Sequence, residues 1–266
     1  MSFGKTIILK QILKHLLTLC HCMSKKVINQ KTNYDTELLN SVGNNFIFDK
    51  NPINRLNSAS KKLKTVNKFE IINKEKALEE LKEQISSIED CNLKKNSKKI
   101  ILGDGNFDSP IMLVGEAPSI EEDKVGITFV GDVGDLLKKM LIAINIKKEN
   151  IYSTYAVNFR PPEDRKPTTT EIKRYSQFLQ KHISIIKPKI IILMGSTAME
   201  SLTGLNGRIS KERGKWKEII VKDTNYNVII TFNPSYLLRA PENKKYSWED
   251  LKKIKQKIID LKLKIQ

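Results

Sequence analysis

Cysteine is scarce in this chain: Cys20, Cys22 and Cys91 are the three in 266 residues. That number cannot build a disulfide framework and points to a reducing compartment, so a cytoplasmic protein is expected. Cys20 and Cys22 are spaced too tightly for a zinc half-site, even with His21 between them. Long apolar runs are missing too, which excludes a membrane-spanning helix. Segment 7–19 (IILKQILKHLLTL) has helical apolar spacing, but Lys10, Lys14 and His15 interrupt it and no small-residue cleavage site follows. It does not read as a secretory leader. Met23 offers a second start that would leave residues 1–22 as an upstream extension; a helix lying on a membrane surface is the alternative. There is no Gly-x-Gly-x-x-Gly, P-loop lysine or internal repeat, which sets aside a generic nucleotide-binding protein.

Acidic residues are outnumbered. Lys and Arg total 47 against 30 Asp and Glu, for a formal charge of +17 and a pI near 9.6. A polyanion is the natural partner, because each neutralised phosphate releases condensed counterions. Biased codon usage also produces Lys-, Asn- and Ile-rich chains, so charge alone leaves nucleic-acid binding open. At 39% hydrophobic and 29% charged, the composition is that of a soluble globular protein, and 266 residues suffice for one sizeable domain with an appendage or for two small domains.

Residues 1–73 are expected to form an irregular or helical extension and linker. Residues 27–73 are rich in Asn, Lys and Ser around one apolar island, Phe46-Ile47-Phe48. The domain is placed at 74–266. It opens with an amphipathic helix over 74–88, where Ala77, Leu78, Leu81 and Ile85 share a face. Four apolar, β-rich runs follow, at 111–114, 151–157, 190–194 and 228–232, with helical patterns at 133–146, 170–186, 196–202 and 248–265. Such alternation predicts an α/β fold: a parallel four-stranded central sheet flanked by helices. Ligands of such sheets sit beyond the carboxyl ends of the strands.

The loops at those ends are distinctive. The first reads Gly115-Glu116-Ala117-Pro118-Ser119, then Glu121-Glu122-Asp123, then Gly126-x-x-Phe129-Val130-Gly131. Glycines bracketing one aromatic suggest backbone bent round a flat ligand. Strand two ends at Tyr155 and runs into Phe159-Arg160-Pro161-Pro162; strand four runs into Asn233-Pro234-Ser235-Tyr236-Leu237-Leu238-Arg239. With the later Arg213-Gly214-x-Trp216 and Trp248-x-Asp250-Leu251, this order resembles the family 4 (iron–sulfur type) uracil-DNA glycosylases over residues 88–261. Residues 43–56 loosely resemble the N-terminal appendage of some bacterial members.

The resemblance implies DNA repair: a uracil flipped out of DNA loses its N-glycosidic bond. It implies that Phe129 stacks on the base, that Gly115, Tyr155 and Glu122 line its pocket, and that Glu116 and Asn233 serve catalysis. Ser235, Leu237 as wedge, Arg239 and Arg160, with Arg165, would meet DNA; each arginine alone also reads as a solvated surface charge. A DNA partner, no membrane and a monomer are expected.

Four departures stand out. The family's four cluster cysteines fall here at Ile88, Cys91, Phe159 and Tyr175; one thiolate cannot hold four irons, so no cofactor is expected. The family's base-reading Asn falls at Tyr155, which offers one hydroxyl and more bulk. Its motif-two His falls at Asn233, whose amide still donates. Asn-Pro-Ser also resembles motif two of the mismatch-specific uracil glycosylases, whose first-motif Asn is missing here, and Ser119 replaces a usual Gly. Two readings remain: a glycosylase of reduced activity on uracil or a related damaged base, and a catalytically inactive DNA-binding protein of the same fold.

Overall fold

The structure is a computed structural model and describes residues 59–89 and 91–265. The expectations for 1–22, for Cys20 and Cys22 and for 43–56 lie outside the described residues. The helix expected over 74–88 is the end of a longer one, α1 (Ala59–Ser86). Short α2 (Asn92–Asn96) follows, then β1 (Gly103–Gly105), β2 (Ile111–Gly115), α3 (Ile120–Val125), α4 (Gly131–Ile142) and β3 (Tyr152–Tyr155). Next come α5 (Thr169–Ile186), β4 (Ile190–Met194), α6 (Ser196–Thr203), α7 (Ile209–Glu212), β5 (Trp216–Val221), β6 (Thr224–Thr231), α8 (Pro234–Arg239) and α9 (Lys244–Asp260).

One six-stranded sheet has the order β1-β3-β2-β4-β6-β5. The four central strands are parallel, as the alternation of strands and helices predicts. Both edges are antiparallel, so the sheet is mostly rather than wholly parallel. β5 and β6 form a tight hairpin through Lys222 and Asp223, both left-handed (φ 44° and 64°), the conformation that matches strand twist in two-residue turns.

β2 and β4 are buried at every position, because helices cover both faces. Period-two alternation divides their side chains. Ile111, Leu113, Ile190, Ile192 and Ile229 pack with Leu137 and Leu141 of α4 and Leu251 and Ile254 of α9. Met112, Val114, Ile191, Leu193 and Val228 pack with Leu179 and Ile183 of α5 and Met199 of α6. The start of α5 is fixed by a capping box, in which Thr168 and Glu171 bond each other's backbone N–H. Among the described residues no helix is long and apolar enough to cross a membrane. The carboxyl ends of β2, β3, β4 and β6 lie along one edge of the sheet, where the site is built.

Candidate active site

Glu116 follows the last residue of β2. Its Oε1 accepts from the Thr197 N–H at 3.0 Å and from the Ser196 hydroxyl at 3.3 Å, both at the start of α6. Its Oε2 accepts from Asn233 Nδ2 at 3.2 Å. A helix N-terminus favours an anion, and three donors set the carboxylate's direction. Gly195 makes this approach feasible: it has φ 100°, and a Cβ there would lie 2.4–2.7 Å from the Glu116 carboxyl group. Asn233 caps α8, its Oδ1 accepting from the Ser235 N–H at 3.0 Å, so its amide is locked with Nδ2 towards Glu116. The two residues expected to serve catalysis are therefore in direct contact.

Phe129, Tyr155 and Glu122 also meet. The Tyr155 hydroxyl donates to Glu122 Oε1 at 2.6 Å and accepts from the Phe129 N–H at 2.9 Å. Glu122 Oε2 accepts from the Ser119 N–H at 2.6 Å, closing the first turn of α3. Burial, then the Glu122 charge, push the Tyr155 phenol far above its usual range, so it stays a donor. The Phe129 and Tyr155 ring centroids are 5.1 Å apart at a 40° tilt. Phe129 is left-handed (φ 51°), and Lys148 Nζ holds it there by donating to the Thr128 and Phe129 carbonyls at 2.6 and 3.0 Å. Gly115 is needed for room: a Cβ there would lie 2.7 Å from the Tyr155 ring and 2.8 Å from Phe129 Cζ. Tyr155 packs against the ring expected to stack on a base, and the two residues are only 2% and 3% exposed.

A cleft of about 1110 Å³ opens over these residues. Glu116, Tyr155 and Asn233 line it, with Ser235 and Arg239 of α8 on one wall. Arg165, Lys166, Arg208 and Arg213 add positive charge. Arg165 is engaged by Glu171 through two bonds of 2.7 and 2.8 Å, which hold the Glu171 carboxyl below its ordinary range. Arg208 and Arg239 make no ion pair among the described residues.

One expected DNA contact is corrected, and a second residue stands away from the cleft. Leu237 is fully buried in the core, because it lies one turn after Asn233 on the inward face of α8; Tyr236 and Leu238 are the exposed apolar side chains of that helix. Arg160 lies outside the cleft lining and pairs with Asp164 at 2.6 Å.

Sequence reasoning missed Arg213, Arg208 and Tyr246. The signal for Arg213 lay in two fragments quoted without roles, Arg213-Gly214-x-Trp216 and Trp248-x-Asp250-Leu251. Arg213 grips Asp250 with bonds of 2.6 and 3.0 Å and sits over the rings of Phe232 and Tyr246 at 5.6 and 5.3 Å. Asp250 also accepts from the Thr231 hydroxyl at 2.9 Å; burial nonetheless raises its pKa, the Thr231 bond and Arg213 only opposing the shift.

The strand ends of a mostly parallel sheet thus carry a buttressed carboxylate, two packed aromatic rings and a basic cleft. A family model, the uracil DNA glycosylase superfamily, matches residues 102–254. The chain is 37% identical over 185 residues to the type-4 uracil-DNA glycosylase of Thermotoga maritima, covering 68% of this chain and 95% of that protein. It is 36% identical over 188 residues to that of Sulfurisphaera tokodaii, covering 68% and 84%. For Archaeoglobus fulgidus the identity is 32% over 182 residues, covering 67% and 92%. The chain belongs to the uracil-DNA glycosylase superfamily, alongside its type-4 members.

The four positions matching the family's cluster ligands do come together. Ile88, Cys91, Phe159 and Tyr175 share one apolar cluster with Leu81 and Ile85 of α1 and Leu93 of α2. Cys91 Sγ lies 3.3 Å from the Tyr175 hydroxyl, and the Phe159 and Tyr175 rings meet edge-on at 6.3 Å and 78°. One thiol, one phenol and two hydrocarbon side chains do not fit a cluster that requires four thiolates.

Proposed function

We propose that this chain is a DNA glycosylase that hydrolyses the N-glycosidic bond of uracil, or a related damaged base, extruded from DNA into the cleft, at a reduced rate. The observation that carries this reading is Glu116, held by three donors at the cleft floor beneath a basic rim. As the bond breaks, its electron pair leaves with the base nitrogen and C1′ of the sugar gains positive character. A carboxylate facing that carbon stabilises the charge and orients a water, whose oxygen adds to C1′ while its proton passes to the carboxylate. Asn233 spends one amide hydrogen on Glu116 and retains a second for the departing base. Lacking a charged donor there, the site loses the few kcal/mol that one oxyanion donor commonly supplies.

The test incubates the protein with oligonucleotides carrying uracil, hypoxanthine or a G·U mismatch and scores alkali-labile breaks. Slow product formation that falls by about 100-fold in Glu116→Gln supports hydrolysis. The second reading, an inactive DNA-binding protein, is favoured by Tyr155 lying over Phe129. Absence of product from every substrate, with salt-sensitive DNA binding kept, decides for it. We further propose that the protein works without an iron–sulfur cluster, with packed side chains in that place. A colourless preparation is expected, and about four irons per chain would refute it.

A further inference from the structure

The pocket under Phe129 is satisfied from within. A uracil edge presents carbonyls needing a donor and an N–H needing an acceptor. The donor here is the Phe129 N–H and the acceptor Glu122 Oε1, and the Tyr155 hydroxyl takes both, at 2.9 and 2.6 Å. The six-membered Tyr155 ring lies against Phe129 at 5.1 Å, and the missing Cβ of Gly115 leaves space for it. Tyr155 thus leans on the Phe129 ring at a 40° tilt, its one hydroxyl bonded to both the donor and the acceptor and its side chain almost wholly buried. A base entering this pocket must break both bonds and evict the ring. The sugar side is different. Glu116 faces the cleft part-exposed, Asn233 lines it, and Arg208 and Arg239 stand exposed on its walls.

We propose that Tyr155 is an internal occupant of the base pocket, so that the site's preferred ligand is a baseless deoxyribose phosphate within DNA. The inference rests on the reading that the cleft takes a nucleotide extruded from DNA, and it names the kind of nucleotide. A sugar without a base enters beside Tyr155, leaves its two bonds intact and still meets Glu116 and the cationic walls. An intact base enters only by displacing Tyr155 from these two bonds, in keeping with a reduced rate of hydrolysis.

Fluorescence anisotropy on three duplexes at one salt concentration tests this: one with a tetrahydrofuran abasic analogue, one with 2′-fluoro-deoxyuridine, whose glycosidic bond resists cleavage, and one undamaged. The wild-type protein is expected to bind the abasic duplex about tenfold more tightly than the uracil duplex. Tyr155→Asn vacates the pocket and should raise uracil affinity until the two are within about threefold. Tyr155→Phe, which keeps the ring and frees the Phe129 N–H and Glu122, should narrow the ratio in part and serves if the Asn variant does not fold. Equal wild-type affinity for the abasic and uracil duplexes, or a ratio unmoved in the folded variants, overturns the role of Tyr155 while DNA binding stands. Failure to bind any duplex overturns this inference and the DNA reading together.

Discussion

His182 of α5 is buried, its Nε2 2.8 Å from the Tyr152 hydroxyl and its Nδ1 3.5 Å from the Thr154 hydroxyl. Burial lowers its pKa from 6.5 to about 3, so the folded protein refuses a proton that the unfolded chain accepts below pH 6.5. The associated stability is fully present above 6.5 and drains away as pH falls towards 3. At about pH 5 the loss is roughly 2 kcal/mol, rising to roughly 5 kcal/mol at the acid end. Asp123 acts lower. Burial alone would raise the pKa of Asp123, but bonds from the Ser97 hydroxyl and the Lys98 and Lys99 N–H groups bring it below 3.8. Its contribution persists above 3.8 and is lost beneath it, outside the histidine's upper window. Urea unfolding at about pH 7.5 and about pH 5 should show the wild-type midpoint falling by about 1 M. His182→Gln keeps a donor and an acceptor for Tyr152 but cannot titrate, and its midpoint should move far less. Equal falls in the two proteins, or a wild-type midpoint indifferent to pH, would refute the assignment.

Gly115→Ala forces a methyl against two packed rings and should cost about 2 kcal/mol, read as a thermal midpoint lower by about 6 °C. Asp250→Ala strands Arg213, which is 15% exposed, beside the empty place of a fully buried partner; a loss of about 3–5 kcal/mol in denaturant unfolding is expected. Arg208→Ala and Arg239→Ala should each weaken DNA binding on every sequence alike and reduce the log–log salt slope by about one. Unchanged slopes in both would remove the phosphate path from the cleft.

The central strands were legible because both faces are buried, so Ile111 to Val114 and Ile190 to Met194 are unbroken apolar runs. The edges were not: β1 is Gly103-Asp104-Gly105, with no apolar side chain, and β5 is half-exposed. Motif order put Glu116, Tyr155 and Asn233 at the carboxyl ends of β2, β3 and β6, and Phe129 in the loop after α3, which the fold brings back to Tyr155. Whether the Phe129 face is open depends on the bulk and hydroxyl of residue 155 in three dimensions. Leu237 escaped for a similar reason. On a helix as short as α8, one position faces the core and the next faces water, and only the packing against α4 decides which.

The cluster that joins Cys91, Phe159 and Tyr175 to Leu81 and Ile85 has a thermal consequence. Its cohesion comes chiefly from water released by hydrocarbon surface, an entropic drive that fades on cooling. The seam fastening α1 to α5 is therefore firmest in warmth. Near freezing it is the first place where hydrogen exchange should quicken.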